Sequence, residues 1–436
     1  MSKNWGLMAW CIAMLCSPGL YAQKKVLGLE EMFRLADEQS RSMRVYELGM
    51  LAAEEGVKAA KAARLPEVGV SASVSYWGDG RLWNRDFGQG MRVDMPHFGN
   101  NFALEARQVI YAGGAVDNGI ERATLGKEAA GLDWQKNRQE VRFLLAGYYL
   151  DLCRLDNEVR VLEQNLELAE AVIANMKARR EQGVALKNDI TRYELQREML
   201  LLQLARTEDA VKIINHQLVN TLHLPEGTWV VPDTALLAVQ VQALDERTWQ
   251  EAARGSHLGL QQAQVGVRAS EQEVKAVRAA RLPEVAMTAA DHLDGPITIE
   301  VPVLDNNFNY WQVGIRVSYN LSSLFRDNRR LRQAKLQVNQ AQERYALAQE
   351  EVDNAVQAGY VNLRTAFTEL RTQEKSVLLA SEHYEVVSSR YAHELALLTD
   401  LLDAANMKLS AELGLVNARI SVLYHYYQMR YITHTL

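Results

Sequence analysis

Residues 57–68 read VKAAKAARLPEV, and residues 274–285 read VKAVRAARLPEV. Ten of the twelve positions are identical, at an offset of 217. In both copies a charged, Ala-rich helical pattern runs into Arg-Leu-Pro and then into an alternating apolar/polar segment. Proline cannot continue a helix interior, and it drives the residue before it toward extended geometry. Leu65-Pro66 and Leu282-Pro283 are therefore expected to be joints from helix to strand. The match continues beyond the joints. From about residue 114 the halves align at an offset of 211: Tyr149-Leu150-Asp151-Leu152 meets Tyr360-Val361-Asn362-Leu363, and Asp189 meets Asp400. A period above 200 residues is too long for a solenoid unit, so the chain is expected to be a duplicated domain.

Each half predicts the same order of elements. Helix-period segments at 29–64 and 244–281 precede the joints. After Pro66 the period changes to two: Val68, Val70, Ala72, Val74 and Tyr76 alternate with Gly69, Ser71, Ser73, Ser75 and Trp77. Strands are expected at 67–77 and 100–111, with a loop at 78–99 between them. In the second half they are expected at 284–292 and 308–321, separated by a loop holding Pro296 and Pro302. Aromatics near the strand ends, such as Tyr76, Tyr111, Phe308 and Trp311, suit a bilayer interface girdle or one face of a soluble antiparallel sheet.

Helical pattern makes up most of the rest. No proline occurs between Pro96 and Pro225, and none after Pro302. Apolar residues fall at 145, 148, 152, 155, 159, 162, 166, 169, 173 and 176, in alternating steps of three and four. That sustained period of about 3.5 is a coiled-coil stripe. A helix over 117–182 would run roughly 100 Å. The chain then turns near Gly183 and returns to about Leu222, giving a hairpin over 117–222. Its second copy spans 327–432, and the two repeats are 23–222 and 244–436. Between them, 223–243 carries Pro225, Gly227 and Pro232 and is expected to be a linker with one short strand.

The first 22 residues combine one lysine, an apolar run from Trp5 to Cys16 and a small residue at Ala22, the pattern of a secretory signal peptide. Its removal takes two of the three cysteines and Lys3, moving the formal charge from −6 to −7 and leaving Cys153 on an apolar helix stripe as a packed thiol. No other stretch is long and apolar enough for a membrane helix. The mildly acidic balance argues against nucleic acid as a partner. A β-barrel remains open as a route into a membrane. Four strands cannot close one, because about eight is the smallest size. Two copies would supply eight and three would supply twelve.

The segments YAGGAVDNG (111–119) and RYAHELALLTDLLDAANMKLSAELGLVNAR (390–419), on a duplicated unit of strands and long hairpin, resemble the TolC family of outer-membrane efflux proteins. The resemblance spans essentially the whole mature chain. It implies a mainly α fold with a small β part, in which a homotrimer forms a 12-stranded outer-membrane barrel and a periplasmic helical tunnel. It also implies a passive, non-catalytic conduit for efflux or type I secretion, without cofactor or metal. The partners implied are outer-membrane lipid, a periplasmic adaptor and an inner-membrane pump of RND, ABC or MFS type. A structural coiled-coil protein of the envelope would explain the helices but not the strand pairs.

In that family two aspartates one turn apart ring the tunnel entrance, and Asp400 and Asp403 match both. Read without the family, they are acidic residues at a helix start, where the dipole favours them. Only the second hairpin offers the pair, because Arg192 stands opposite Asp403 in the alignment. In the family's namesake an Arg and a Tyr of this hairpin meet an Asp of the first hairpin and latch the tip. Tyr391 and Asp189 match two of these, whereas the Arg position holds Ala396. A Tyr391–Asp189 hydrogen bond is thus the expected remaining tie. His393-Glu394 begins like a zinc motif, but Leu397 stands where its second histidine would be.

Overall fold

The computed structural model describes residues 24–183, 186–233, 244–300 and 303–436. The expected signal peptide over 1–22, Val184 and Ala185 near the expected first hairpin turn, residues 234–243 of the expected linker, and Pro302 lie outside them. The chain order begins with β1 (Lys24–Leu27), α1 (Leu29–Gln39), α2 (Arg41–Ala62), β2 (Glu67–Tyr76), β3 (Gly80–Leu82) and β4 (Met91–Val93). It continues with β5 (Phe98–Tyr111), α3 (Ala115–Glu181), α4 (Lys187–Thr221) and β6 (Trp229–Pro232). The second copy supplies α5 (Glu246–Ser256), α6 (Leu258–Ala279), β7 (Glu284–Gly295), β8 (Phe308–Ser318), α7 (Ser323–Ala392) and α8 (Leu398–Ile432). The duplication is visible in the bounds. Shifting α1 and α2 by 217 residues gives the limits of α5 and α6, and shifting α4 by 211 gives those of α8.

Two expectations needed correction. The single helices expected at 29–64 and 244–281 are each two helices. Ser40 (ψ 129) and His257 (ψ 112) adopt extended geometry, which interrupts the ladder for one residue. The break goes with burial: Met32, Phe33, Leu35 and Ala36 put α1 into a core shared with α3, α4 and α8. The 78–99 segment is not all loop, because β3 and β4 pair antiparallel within it. Strand β1, which the sequence did not signal, pairs in parallel with β6 through Lys24↔Trp229 to Leu27↔Pro232.

The chain divides into two compact units. One comprises Met1–Glu47, Trp134–Leu258 and Gln349–Leu436. Its core gathers Leu27, Met32, Leu145, Tyr149, Leu152, Cys153, Leu218 and Leu222, all nearly or fully buried. Asn215 pins β6 from within, its Nδ2 donating to the Thr228 carbonyl and its Oδ1 accepting from Val230 N–H, at 3.0 and 2.8 Å. The Tyr149 hydroxyl donates to the Asp233 carbonyl beside it. Burial pushes the Cys153 thiol up to about 12, so the cysteine is packed and inert. Of the ten stripe positions on α3, seven are buried and Tyr148, Val159 and Leu166 half-buried. A second core in this unit joins Leu162, Ile173 and Met176 of α3 to Ile190 and Tyr193 of α4, Tyr384 of α7 and Leu401 of α8.

The other unit comprises Leu48–Asp133 and Gly259–Ala348. It holds a four-stranded sheet in the order β2-β5-β7-β8, antiparallel throughout. The central pair β5–β7 joins the two repeats. Directly paired residues share a face, so Val68, Ala106, Ala289 and Val313 form one apolar row across all four strands. Both edge strands are exposed along their whole length. Before the sheet, Leu65 N–H still bonds the Ala62 carbonyl and Leu282 N–H the Ala279 carbonyl, at 2.9 and 3.0 Å. Each helix therefore tightens into a last turn, and the proline behind it begins the strand.

Candidate functional site at the hairpin tips

The two hairpin turns lie in the same unit. The first follows α3, where Gly183 adopts φ +82 and donates its N–H to the Arg180 carbonyl at 2.9 Å. A left-handed residue just past a helix end is a common stop, and glycine takes it without Cβ strain. The second follows α7. There Glu394 takes φ +62, Leu395 N–H bonds the Arg390 carbonyl at 2.8 Å, and Arg390 Nη2 donates to the Leu395 carbonyl at 3.3 Å. His393 turns back onto its own helix, its Nδ1 lying 2.8 Å from the Ser389 carbonyl.

Asp400 and Asp403 sit on the first turns of α8, both exposed, flanked on the helix by buried Leu401 and Ala404. Their local roles differ. Asp400 Oδ2 accepts the Leu397 N–H at 3.0 Å, so this carboxylate caps its own helix, as the dipole argument expected. Asp403 makes no such bond and lines an open hollow with Gln373, Asn406, Met407 and Ala411.

Tyr391 and Asp189 are brought into electrostatic range. Burial raises the Tyr391 pKa first and the Asp189 charge raises it further, while Arg179 opposes both. No hydrogen bond joins the two residues. What reaches Tyr391 is Arg179, in the last turn of α3. Its guanidinium carbon lies 5.8 Å from the Tyr391 ring centroid, and its Nη2 donates to the Ala392 carbonyl at 2.8 Å. A cation of the first hairpin thus reaches the tyrosine of the second. Sequence reasoning passed over Arg179. A basic residue in a last helical turn is ordinary dipole chemistry, and its target is 213 positions away. Two further ties cross between the hairpins: Gln196 Nε2 to Asn406 Oδ1 at 2.8 Å, and Asn165 Nδ2 to Glu412 Oε2 at 3.2 Å.

The profile of the outer membrane efflux protein family matches residues 33–222 and 249–432, one match per repeat. The chain belongs to this family. The outer membrane efflux protein BepC of Brucella suis biovar 1 (strain 1330) is 23% identical over 382 residues, covering 86% of this chain and 78% of that protein. The outer membrane protein VceC of Vibrio cholerae superposes with a TM-score of 0.75 at 15% identity, over 93% of this chain and 96% of VceC. The open state of the MtrE outer membrane channel of Neisseria gonorrhoeae gives 0.73 at 16% identity, over 93% of this chain and 88% of MtrE. The family member described here is accordingly an outer-membrane efflux channel of a tripartite system, with its helical part in the periplasm.

Proposed function

We propose that three copies of this chain close one twelve-stranded barrel in the outer membrane. Their hairpins form the tunnel through which an inner-membrane pump and a periplasmic adaptor pass cargo outward. What supports the closure is the state of the sheet edges. Among the described residues, strands β2 and β8 run ten and eleven residues with no partner on their outer sides. Val70, Trp311 and Ile315 on them are more than 70% exposed. In lipid, each unpaired backbone group of such an edge costs several kcal/mol. With four antiparallel strands per copy, β8 of one copy meets β2 of the next antiparallel, so identical sheets join without a mismatch. Four strands are below the smallest closed barrel, whereas twelve fall well within the known range.

Under the same proposal Pro66 and Pro283 mark where tunnel helix becomes barrel strand. Asp400 and Asp403 ring the periplasmic entrance, and Arg179, Tyr391 and Asp189 form the tip latch. The protein carries no chemistry of its own and serves as a conduit. Native mass measurement in detergent tests the assembly. Three protomer masses are expected, and a stable monomer that needs no detergent would refute the closure.

A further inference from the structure

The first turns of α7 carry Arg326, Arg329, Arg330, Arg332 and Lys335, with Asp327 as the sole acid among them. Segment 322–338 thus holds five basic side chains and one acidic, a formal +4 in a chain that totals −6. The matching segment of the first repeat does not share this. At the offset of 211, Ala115, Asn118, Gly119, Glu121 and Thr124 stand where α7 has Arg326, Arg329, Arg330, Arg332 and Lys335. Segment 111–127 has two basic and two acidic residues, a formal charge of zero. The same helix is built in both repeats, so the fold itself does not require the cationic cluster.

All five basic side chains are exposed, while Ser323, Asp327 and Ala334 bury the opposite side of the helix. Arg330 reaches Asp327 at 3.6 Å. Among the described residues Arg326, Arg329, Arg332 and Lys335 take part in no ion pair. The first repeat is the reverse: Arg122 is held by Glu273 at 3.5 Å and Lys127 by Glu54 at 3.2 Å. Four cations are therefore left to solvent in one repeat, where the other pairs both of its own. Immediately before them Leu321, Leu324 and Phe325 are exposed, Phe325 to 79%. Strand β8 ends at Ser318, only eight residues before Arg326.

From the strand outward, the chain thus presents exposed apolar side chains and then unpaired cations. That is the order in which a membrane changes from hydrocarbon to headgroup. Guanidinium groups also match phosphate oxygens with two parallel hydrogen bonds. We propose that this cluster binds the headgroups of anionic phospholipid in the periplasmic leaflet, with Leu324 and Phe325 against the acyl chains, and so anchors α7 at the membrane face. The proposal rests on the reading of the four-stranded sheet as part of a membrane barrel.

The test is native mass spectrometry of the full-length assembly in detergent, supplied with phosphatidylglycerol, phosphatidylcholine or inorganic phosphate. Wild type is expected to retain phosphatidylglycerol over phosphatidylcholine by on the order of tenfold, and to lose that preference in high salt. The variant Arg326→Gln/Arg329→Gln/Arg330→Gln/Arg332→Gln is expected to lose the preference, and the corresponding Arg→Lys variant to keep most of it. If the Gln variant does not assemble, the double variant Arg329→Gln/Arg330→Gln decides, with a partial loss expected. Equal retention of phosphatidylglycerol by wild type and assembled Gln variant overturns the proposal. So does displacement of the lipid by millimolar inorganic phosphate, which would make this a free-anion site. Altered ion selectivity of the Gln channel with unchanged lipid retention would place the cluster on the tunnel and also overturn it. A wild-type chain that is monomeric and soluble without detergent refutes the barrel reading itself, which the other outcomes leave standing.

Discussion

At the residue scale, Asp400 and Asp403 are separable although they lie one turn apart. Asp400 spends one carboxylate oxygen on the Leu397 N–H, whereas Asp403 is exposed and uncommitted. Losing the capping bond of Asp400 should cost about 1 kcal/mol of local stability. Losing Asp403 should cost almost none. In a trimer, like charges roughly 8 Å apart at an effective dielectric of about 20 repel by about 2 kcal/mol per pair, so the entrance should attract cations. Single-channel recording with a trivalent cation on the periplasmic side reads this out. Asp403→Ala should weaken cation preference and block without lowering the melting temperature, and Asp400→Ala should lower both. Arg179→Gln, which removes the tie to Tyr391 and Ala392, should raise the open-channel current. Unchanged block and selectivity in the Asp400→Ala/Asp403→Ala protein would leave both residues as ordinary surface carboxylates.

At the element scale, the two joints are near-replicas. Each helix ends in the same short turn, at Leu65 and Leu282, and each strand starts directly after the proline, at Glu67 and Glu284. Proline narrows the unfolded ensemble, so Pro66→Ala and Pro283→Ala should each cost about 0.4–1 kcal/mol. They should also lower the yield of trimer, because alanine lets the helix run on into strand residues. Size-exclusion chromatography and thermal melts of both single variants and the double check this. Equal shifts are expected from the two sites, and wild-type yield and melting in the double would rule out a hinge role. One level down, Ser40 and His257 show how little is needed to redirect a helix. A single extended residue, with its N–H still bonded to the helix behind it, gives α1 and α5 their own axes.

At the scale of the whole molecule, stability should respond to pH through the C-terminal end of the chain. The His434 ring lies 4.4 Å from that of His257 and stacks on Tyr431 at 6.0 Å, between centroids. Burial, then the neighbouring His257 and then Lys136, hold His434 down at about 4, and burial followed by Lys136 lowers His257 as well. The unfolded chain therefore binds a proton near pH 6.5 that the folded chain refuses until about pH 4. The sign follows: this contribution is fully present above pH 6.5 and is lost as the pH falls toward 4. The melting temperature of wild type should fall across that window more steeply than that of His434→Asn. Asparagine is the suitable replacement, because position 434 has φ +54 and asparagine tolerates that region. Parallel curves for the two proteins would show that this pair does not govern acid stability.

Much of this architecture was legible in the chain because it rests on local chemistry. The proline joints, the change of period from 3.5 to two, and the repeat offsets 217 and 211 each depend on residues near in sequence. Backbone sterics and side-chain periodicity translate them directly into helix and strand. The aspartate pair and Tyr391 were legible as a motif. What only the tertiary structure decided depends on partners far apart. The β1–β6 pairing joins segments about 205 residues apart, and neither four-residue strand carries an apolar period long enough to detect. Arg179 found its carbonyl and ring across a hairpin boundary, and Asp189 gained proximity to Tyr391 without a hydrogen bond. The unequal burden of charge on α3 and α7 was present in the sequence throughout. Only the packed chain showed which of those cations had found a carboxylate and which, among the described residues, had not.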